Sequence, residues 1–309
     1  MVSGFFNTFT SMVRVAFIIN GSKKLTVQVQ EILKLSEEHP EIEAVNILTK
    51  IPKEAIEEAK LCVHQLFDVI VAVGGDGTMN EVLNGIMPLN KTVVPILAIL
   101  PNGTGNDFVK SAKMKFKSVD FLNAILEKRC TPIDVGKINT MGKTHYFLNI
   151  ADVGFGGKVV EILNKQRKFL KGKTSYSIAI LRTFFGFRKP TLSIITDNFE
   201  FQGKILMVAI CNGGVFANGL IINPYAKIND GILNITYLGN VTIIDYIMNL
   251  RKLKKGLPIQ HPEVHYLETK SIEIKRIKGK VSSEMDGEYL AIEDQVISIV
   301  KGGIKILDF

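Results

Sequence analysis

The sequence predicts a mixed α/β protein of two domains: an N-terminal doubly wound parallel α/β domain and a C-terminal β-sandwich-rich domain with a few helices. Apolar β-type runs alternate with segments of helical period over residues 13–132, which is typical of a parallel sheet covered by helices. After about residue 133, short alternating runs and hairpin signals replace that rhythm. The 309 residues, 46% of them apolar, suffice for two cores of ordinary size.

The first domain is assigned to residues 12–132, and residues 1–11 are expected to form a loose N-terminal extension. Its strands are expected over residues 13–19, 42–48, 69–73 and 94–100, as nearly continuous apolar runs, because both faces of a parallel sheet are buried. Helices are expected over residues 25–38, 53–66, 78–87 and 119–127. Ser118 is expected to cap the last of them, since a serine hydroxyl can accept a hydrogen bond from an unpaired N–H of the first turn.

The second domain is assigned to residues 133–290. Turn-forming residues at 140–143 and at Asp197-Asn198 lie between apolar or alternating runs and predict hairpins. Helices are expected near residues 158–170, 174–187 and 241–253. No apolar run approaches the length of roughly 18 residues that a membrane-spanning helix needs, and the N-terminus lacks the pattern of a signal peptide.

A glycine-rich loop after the third strand is the most informative feature of the chain. It reads Gly74-Gly75-Asp76-Gly77-Thr78 and opens into a helix. Glycine lets the backbone approach a ligand closely, and a helix N-terminus presents N–H groups and positive potential, so this turn suits a phosphate. Asp76 would bring negative charge to a negative ligand, a conflict that a divalent cation between them resolves. An ordinary strand-to-helix turn is the alternative.

A second loop of the same kind follows the next strand, at Pro101-Asn102-Gly103-Thr104-Gly105-Asn106-Asp107-Phe108. The carboxyl ends of neighbouring parallel strands meet at one edge of a sheet, so we expect the two loops to lie side by side. Open α/β sheets bind their ligands at that edge.

Together the two loops resemble the diacylglycerol kinase catalytic domain of bacterial lipid kinases. That superfamily also contains sphingosine and ceramide kinases and is distantly similar to NAD kinases and phosphofructokinases. The match runs over roughly residues 13–308 and includes Ile133-Asp134-Val135-Gly136, residues 147–155, residues 223–233 and Asp286-Gly287-Glu288. The loop after the first strand departs from the family pattern, because Asn20-Gly21-Ser22 lacks a proline.

The resemblance implies an ATP-dependent, Mg²⁺-dependent kinase that phosphorylates a lipid alcohol, with diacylglycerol, converted to phosphatidic acid, as the first expectation. It also implies that the final strands, near residues 291–309, return to complete the first domain, and that the second domain supplies the acceptor site across a cleft. The residues expected to bind nucleotide are Asn20, Ser22, Thr49, Gly74, Gly75, Asp76, Gly77, Thr78, Asn80, Gly103 and Thr104.

Three acidic residues are expected to take part in catalysis. Asp76 would act through Mg²⁺, Asp107 would face the same Mg²⁺ or the acceptor, and Glu288 matches the family's base for the acceptor hydroxyl. Asp230, with the main-chain carbonyls of Lys227 and Ile232, matches a structural magnesium site of the family. On sequence alone, Asp230 and Glu288 fit simple hairpin turns as well, and Asn106 fits a helix cap.

The net charge of +8 favours anionic partners. No aromatic-interleaved RNA-binding motif or helix-turn-helix pattern accompanies the basic clusters, so nucleic acid is not expected. Residues 179–189 mix Phe with Arg and Lys, which suits transient contact with an anionic membrane surface, although a core helix with a basic end explains them equally. We expect a cytoplasmic protein, peripheral at the inner membrane surface, and a homodimer stays open.

Two other functions stay open. A kinase for a soluble acceptor such as NAD would share the first glycine loop, but would not need the second loop or the basic and aromatic segment. A non-catalytic nucleotide- or lipid-binding module would keep both loops and lose turnover, and the altered turn at Asn20-Gly21 leaves room for it.

Overall fold

The computed structural model describes residues 12–89, 94–140, 142–165, 173–290 and 294–309. The extension expected at residues 1–11 lies outside the described residues. The N-terminal half contains β1 (Val13–Asn20), α1 (Val27–Glu38), β2 (Ile42–Thr49), α2 (Glu54–His64), β3 (Val69–Gly74), α3 (Asp76–Ile86), β4 (Ile96–Pro101), α4 (Asp107–Ser111) and α5 (Ser118–Leu126).

The strands of this half form a parallel sheet in the order β2-β1-β3-β4, with helices on both faces. On one face Met79 of α3 and Phe108 of α4 join a buried cluster with Ile70 of β3. On the other face Ile32 of α1 and Phe121 of α5 join a second cluster. Every residue of β3 is buried, which explains its unbroken apolar run, and the doubly wound prediction is confirmed.

The C-terminal half is rich in strands. They are β5 (Cys130–Thr140), β6 (Lys143–Phe147), β7 (Ile150–Gly154), β8 (Thr191–Thr196), β9 (Glu200–Lys204), β10 (Met207–Cys211), β11 (Val215–Phe216), β12 (Leu220–Ile221), β13 (Leu233–Leu238), β14 (Val264–Thr269), β15 (Ser271–Lys278), β16 (Ser283–Met285), β17 (Glu288–Leu290) and β18 (Gln295–Leu307). The helices are α6 (Phe155–Lys165), α7 (Lys173–Gly186) and α8 (Ile243–Lys255).

Two sheets of this half pack face to face. An antiparallel sheet in the order β14-β13-β10-β7-β16-β17 contributes Val208 and Ile235 to a buried cluster, and β8 and β15 contribute Ile194 and Ile272 from the other sheet. The C-terminal sandwich is therefore confirmed. The expected hairpins are also present, as the β5–β6 and β8–β9 pairs. The helix expected near residues 158–170 is present as α6 up to Lys165, and the rest of the expected range lies outside the described residues.

The last strand connects the two halves. β18 pairs in parallel with β4 at Ile306 and Leu97, and antiparallel with β5 and β15. A single ten-stranded sheet therefore runs from the parallel strands into the sandwich.

Two details of the sequence prediction are wrong. Ser118 is the first residue of α5 rather than its cap: Lys117 holds the N-cap position, and the Ser118 hydroxyl donates to Glu31 instead. The helix expected from residue 78 begins at Asp76, so the glycine loop includes the first turn of α3. Glycine at position 77 hides that start in the sequence, because glycine is a poor helix former.

Candidate active site

The two glycine loops touch through their backbones. β3 and β4 end side by side, with Gly74 opposite Pro101, and the Asn102 N–H donates to the Gly74 carbonyl at 2.7 Å. A Cβ atom on Gly103 would lie 2.5 Å from the Cα of Gly75. Only glycine permits this approach, so the expected side-by-side arrangement depends on these residue types.

The N-terminus of α3 opens at this junction. The helix begins at Asp76, directly after Gly75, and its first N–H groups have no partner within the helix. These N–H groups and the helix dipole favour an anion. The Asn20 amide supports this turn by donating to the Thr78 hydroxyl at 3.0 Å.

The loop after β1 is joined to the same place by side chains. The Asn20 carboxamide oxygen accepts hydrogen bonds from the Ser22 N–H at 3.0 Å and from its hydroxyl at 2.6 Å. Thr49 is buried, and its hydroxyl donates to the Ile19 carbonyl. Asn20 and Ser22 therefore hold one side of the site although the expected proline is absent.

Two carboxylates converge beside the loops. A Cβ atom on Gly105 would lie 3.1 Å from Asp76 Oδ2 and 3.6 Å from Asp107 Oδ2, so Gly105 leaves both oxygens accessible from one side. Asp76 Oδ1 accepts from the Phe108 N–H at 3.1 Å, which fixes the carboxylate. Asp107 binds Lys110 at 3.0 Å and accepts from the Asn218 N–H at 2.8 Å.

Burial is the main cause that raises the pKa of Asp76 to about 6, and the neighbouring negative charge of Asp107 contributes to that rise. A carboxyl group so placed is costly to ionise without a cation. Among the described residues, no group of three or more His, Cys, Asp or Glu side chains could hold a metal ion by itself. Two carboxylates still fit Mg²⁺, which usually takes one or two of them and completes its shell with water and phosphate oxygens.

Glu288 reaches the first glycine loop from the C-terminal half. A Cβ atom on Gly77 would lie 2.5 Å from Glu288 Oε1, so this carboxylate rests against the first turn of α3. Glu288 begins β17, and the β16–β17 hairpin turns at Asp286 and Gly287, which have φ of 48° and 83°. Two left-handed residues are the signature of a type I′ turn, which asparagine, aspartate and glycine favour.

Asp286 anchors that turn from inside the protein. Its carboxylate accepts from the backbone N–H groups of Leu148, Asn149 and Ile150 at 2.9 to 3.1 Å. It also accepts from the Asn80 amide at 3.1 Å. Burial raises the pKa of Asp286, while these four donors oppose the rise. Asp286 therefore sets the position of Glu288.

Not every expected nucleotide residue faces open space. Asn80 is buried, and its amide donates to Asp286 and to the Tyr146 carbonyl, so it joins α3 to the hairpin. Gly74 lies beneath Thr78: a Cβ atom at Gly74 would collide with that side chain. The positions of Asn80 and Gly74 do not support contact with a nucleotide, and for both residues such contact stays a prediction.

A single cavity of about 910 Å³ extends from both loops into the C-terminal half. At one end it is lined by the loop residues Asn20, Ser22, Thr49, Gly75, Asp76, Gly77, Thr78, Gly103, Thr104 and Asp107. Glu284, Asp286 and Glu288 also line it. The wall from α6, α7, α8 and neighbouring strands is mostly apolar, with Phe155, Val159, Ile180, Phe184, Met207, Leu220, Val241 and Leu253.

Two family models match the sequence. The Diacylglycerol kinase catalytic domain matches residues 14–138. The YegS C-terminal NAD kinase beta sandwich-like domain matches residues 149–308, which is more than half of the chain. The chain belongs to the diacylglycerol kinase family. It is accordingly a diacylglycerol kinase-like kinase, and the relationship supports a lipid kinase function.

Relatives and solved structures agree with this family. The chain is 29% identical to the diacylglycerol kinase of Staphylococcus saprophyticus over 82% of its own length and 83% of the relative's. It is 31% identical to a diacylglycerol kinase of Staphylococcus aureus over 76% of its length and 73% of the relative's. A crystal structure of a diacylglycerol kinase from Bacillus anthracis has the same fold, with a TM-score of 0.68, 21% identity, and coverage of 96% and 97% of the two chains.

The second metal site expected from the sequence, at Asp230, lies apart from the cavity. Asp230 Oδ1 accepts from the Ile232 N–H at 3.0 Å, which closes a tight turn. Asp230 and Ile232 do not line the cavity. The adjacent Gly231 N–H donates to Asp134 at 2.6 Å, and this carboxylate also accepts from the Gly302 N–H in β18.

Two residues of this diacylglycerol kinase-like protein hold parts of the site together, although the sequence assigned them no role. Asn102 accepts from the Thr26 N–H at 3.1 Å and donates to the Lys24 carbonyl, so it ties the loop after β1 to the second glycine loop. Asp286 is the other. Both stand inside the motifs, but their partners lie far away in the chain, so no local signal reveals them.

Proposed function

We propose that this protein is an ATP- and Mg²⁺-dependent lipid kinase that transfers the γ-phosphoryl group to the hydroxyl of diacylglycerol and forms phosphatidic acid. The observation that carries the proposal is the cavity, because one continuous space joins a phosphate-binding junction, a candidate base and an apolar wall. A soluble acceptor would not need the apolar wall. We also keep the division at residues 12–132, completed by 291–309, and 133–290 as our proposal for the domains.

The polar end of the cavity suits the triphosphate. The N–H groups of the Gly75–Thr78 turn and of Gly103 and Thr104 would hold phosphate oxygens, and Asn20, Ser22 and Thr49 would line the nucleotide beside them. The loop at Gly74–Thr78 carries no lysine, so charge neutralisation falls mainly to backbone dipoles and to the metal. When bound, Mg²⁺ supplies positive charge to the transferring group, and Asp76 and Asp107 would hold it.

Glu288 would accept the proton of the acceptor hydroxyl. The hydroxyl oxygen forms a bond to the γ-phosphorus, the bond from that phosphorus to the bridging oxygen breaks, ADP leaves, and the hydroxyl proton moves to the Glu288 carboxylate. A base must lie within hydrogen-bond reach of that hydroxyl. Contact of Glu288 with the first turn of α3 supports this, because the phosphoryl group would lie at the same turn. Asp286 holds the base in place.

The apolar end suits acyl chains. Phe155 and Phe184 pack against each other with ring centroids 4.4 Å apart, and both line the cavity. Burying each methylene of a chain in such a wall is worth about 0.8 kcal/mol. Glu288 lies against the glycine loop and lines the same cavity as the apolar wall, so the reacting hydroxyl of a lipid would meet Glu288 while its chains lie among α6, α7 and α8.

The helices around the apolar end also suit a membrane surface. Among the described residues, none of the helices combines the length and apolar composition that crossing a bilayer requires. The side chains of Phe185 on α7 and Met248 on α8 are 84% and 74% exposed, and Ile244 and Ile247 are exposed near Met248. Basic residues end α8 at Lys252, Lys254 and Lys255. Exposed apolar side chains beside cations are typical of transient contact with anionic lipid.

We keep Asp230, with the carbonyls of Lys227 and Ile232, as a proposed structural magnesium site. The turn contains a half-buried carboxylate beside main-chain carbonyls, and oxygen ligands of these two kinds are the ones that Mg²⁺ prefers. Its separation from the cavity supports a structural role over a catalytic one.

Phosphorylation of diacylglycerol in mixed micelles with labelled ATP tests the proposal. We expect labelled phosphatidic acid only when Mg²⁺ is present. Glu288→Gln should lower kcat by about 10² to 10⁴, the usual contribution of a positioned base. Glu268→Gln, an exposed residue of β14, is the matched control and should keep wild-type turnover.

Three results would contradict the proposal in different ways. Phosphorylation of NAD in the absence of lipid would favour the soluble-acceptor alternative. ATP binding without turnover on any lipid alcohol would favour the non-catalytic module. Wild-type turnover by Glu288→Gln would remove Glu288 as the base while leaving the kinase itself intact.

A further inference from the structure

Two buried carboxyl groups face each other behind the candidate base. Asp152 on β7 and Glu284 on β16 are directly opposite in an antiparallel pair, so their side chains leave the same face of the sheet. Asp152 is 1% exposed and Glu284 is 7% exposed. Neither takes part in the phosphoryl transfer proposed above.

One carboxyl oxygen of each residue has a defined partner. Glu284 Oε2 accepts from the Gly287 N–H at 2.7 Å, in the turn that leads to Glu288. Asp152 Oδ1 accepts from the Gly157 N–H at 3.1 Å, at the start of α6. Asp152 Oδ2 is buried and has no hydrogen-bond partner among the described residues. A buried acceptor of this kind is costly unless a proton satisfies it.

Two glycines at the start of α6 allow this helix to pack closely against Asp152 and β16. A Cβ atom on Gly156 would lie 2.5 Å from Asp152 Oδ2, and one on Gly157 would collide with the Ser283 N–H of β16. The two glycines therefore press the N-terminus of α6 onto the carboxyl pair. The N–H groups at the start of α6 favour the ionised form of Asp152. Glu284 is therefore the member of the pair that is protonated.

We propose that Asp152 and Glu284 share one proton, and that this singly protonated pair positions the Asp286–Gly287 turn and hence Glu288. Glu284 is thus a positioning residue, acting through Gly287, and Asp152 keeps it protonated. The part concerning Glu288 rests on the proposed kinase function. The sharing of the proton does not.

The electrostatics agree with the geometry. Burial raises the pKa of Asp152 to about 7, and burial together with the charge of Asp152 raises the pKa of Glu284 well above its ordinary value. Two like charges in one buried site cannot both ionise near neutral pH, so the protons belong to the pair. The other charged or titratable groups around the pair are Asp286 and Glu288 on the hairpin, Cys211 on β10, and Glu161 with Lys158 and Lys165 on α6.

Of these neighbours, none supplies an unpaired positive charge. Lys158 and Lys165 bind Glu161 at 2.9 and 2.6 Å, so this trio is already compensated. Asp286 and Glu288 add negative charge and strengthen retention of the proton. Loss of that proton at higher pH would place two negative charges opposite each other and push the β16–β17 hairpin away from β7.

Urea unfolding as a function of pH tests the shared proton without any reference to activity. A carboxyl pair that holds a proton only when folded makes the protein less stable as pH rises from about 5 to about 7. The unfolding equilibrium constant of wild type should rise with pH more steeply than that of Glu284→Gln, by about tenfold per pH unit, because wild type releases one more proton on unfolding. The glutamine oxygen can still accept from Gly287, and its amide can donate to Asp152 Oδ2. Asp152→Asn should reduce the slope, because it removes a charge that helps to hold the proton on Glu284, and Glu268→Gln should leave the slope unchanged.

The pH dependence of turnover tests the positioning. Within each variant, kcat at pH 9 is compared with kcat at pH 7. This ratio should be lower in wild type than in Glu284→Gln by about tenfold or more, because only wild type loses the shared proton as the pH rises. Glu284→Ala should lower kcat about tenfold below Glu284→Gln, while KM for ATP stays the same, since it removes the acceptor of the Gly287 N–H.

Each outcome decides one part. Equal pH slopes of unfolding in wild type, Glu284→Gln and Asp152→Asn would overturn the shared proton. Different slopes with equal pH profiles of turnover would overturn the positioning role. Absence of turnover in wild type on every acceptor would refute the proposed function instead, and the unfolding measurements would still decide the pair.

Discussion

Replacing Gly77 with alanine would move the candidate base without disturbing the fold. Gly77 is the second residue of α3, and its backbone is not in the left-handed region, so alanine is compatible with its conformation. Alanine is also about 0.5 to 1 kcal/mol more favourable than glycine within a helix. The added Cβ atom would meet one group, the Glu288 carboxylate, at 2.5 Å from Oε1.

The size of the effect follows from that distance. Non-bonded carbon atoms in contact lie about 3.5 Å apart, so the carboxylate must withdraw by about 1 Å. Glu288 Oε1 is the end of a flexible side chain, so the side chain moves and the backbone does not. A displacement of about 1 Å at a catalytic group can lower turnover about 10²-fold. We therefore expect kcat to fall by about 10 to 10², with an unchanged or slightly higher free energy of unfolding.

The measurement combines the micelle assay with urea unfolding. Gly186→Ala is the control, because a Cβ atom there would meet nothing within 4 Å. A double-mutant cycle adds specificity: in the Glu288→Gln background, Gly77→Ala should lower kcat much less than in wild type, since both changes act on one group. If Gly77→Ala keeps wild-type kcat, or if its loss is equally large without Glu288, then contact between Gly77 and the base has no role in turnover.

Three further predictions concern other parts of the site and the core. Asp76→Asn should abolish Mg²⁺-dependent turnover but raise the free energy of unfolding at pH 7.5 by about 1 to 3 kcal/mol. The reason is that the pKa of Asp76 is raised to about 6, so its ionisation costs stability as pH rises from about 4 to 6. Equal stability of the variant and wild type in urea would contradict this. Asp286→Ala should cost about 3 kcal/mol or more, since it leaves three buried backbone N–H groups unpaired, and Asp286→Asn should cost less. Phe121→Ala, beneath the sheet and away from the cavity, should cost about 3 to 5 kcal/mol by urea unfolding while leaving KM for ATP unchanged.

The parallel half of the fold was predictable because its signals are local. Strands buried on both faces require unbroken apolar runs, and β3 shows such a run in both sequence and structure. The second half was predictable in its class, since the hairpins at 140–143 and 197–198 have turn residues between paired runs. Helix starts were less reliable: the hydroxyl of Ser118 fits a cap by residue type, yet a long-range bond to Glu31 takes it.

The part of the candidate site that is formed by the two glycine loops was predictable from the sequence. Gly75 and Gly103 were expected side by side, and the structure brings them into backbone contact. The placement of Asn80 was not accessible from the sequence, because a polar residue in a motif fits a ligand and a buried partner equally well, and here its partner is Asp286.

The sequence by itself determined the alternation of strands and helices, the two glycine turns and the family, because periodicity, glycine and turn chemistry act between residues close in the chain. Only the tertiary structure decided that Glu288 lies against Gly77 and that Asp152 faces Glu284. These contacts depend on strand register and on how the hairpin docks on α3, and both are fixed by packing between distant segments.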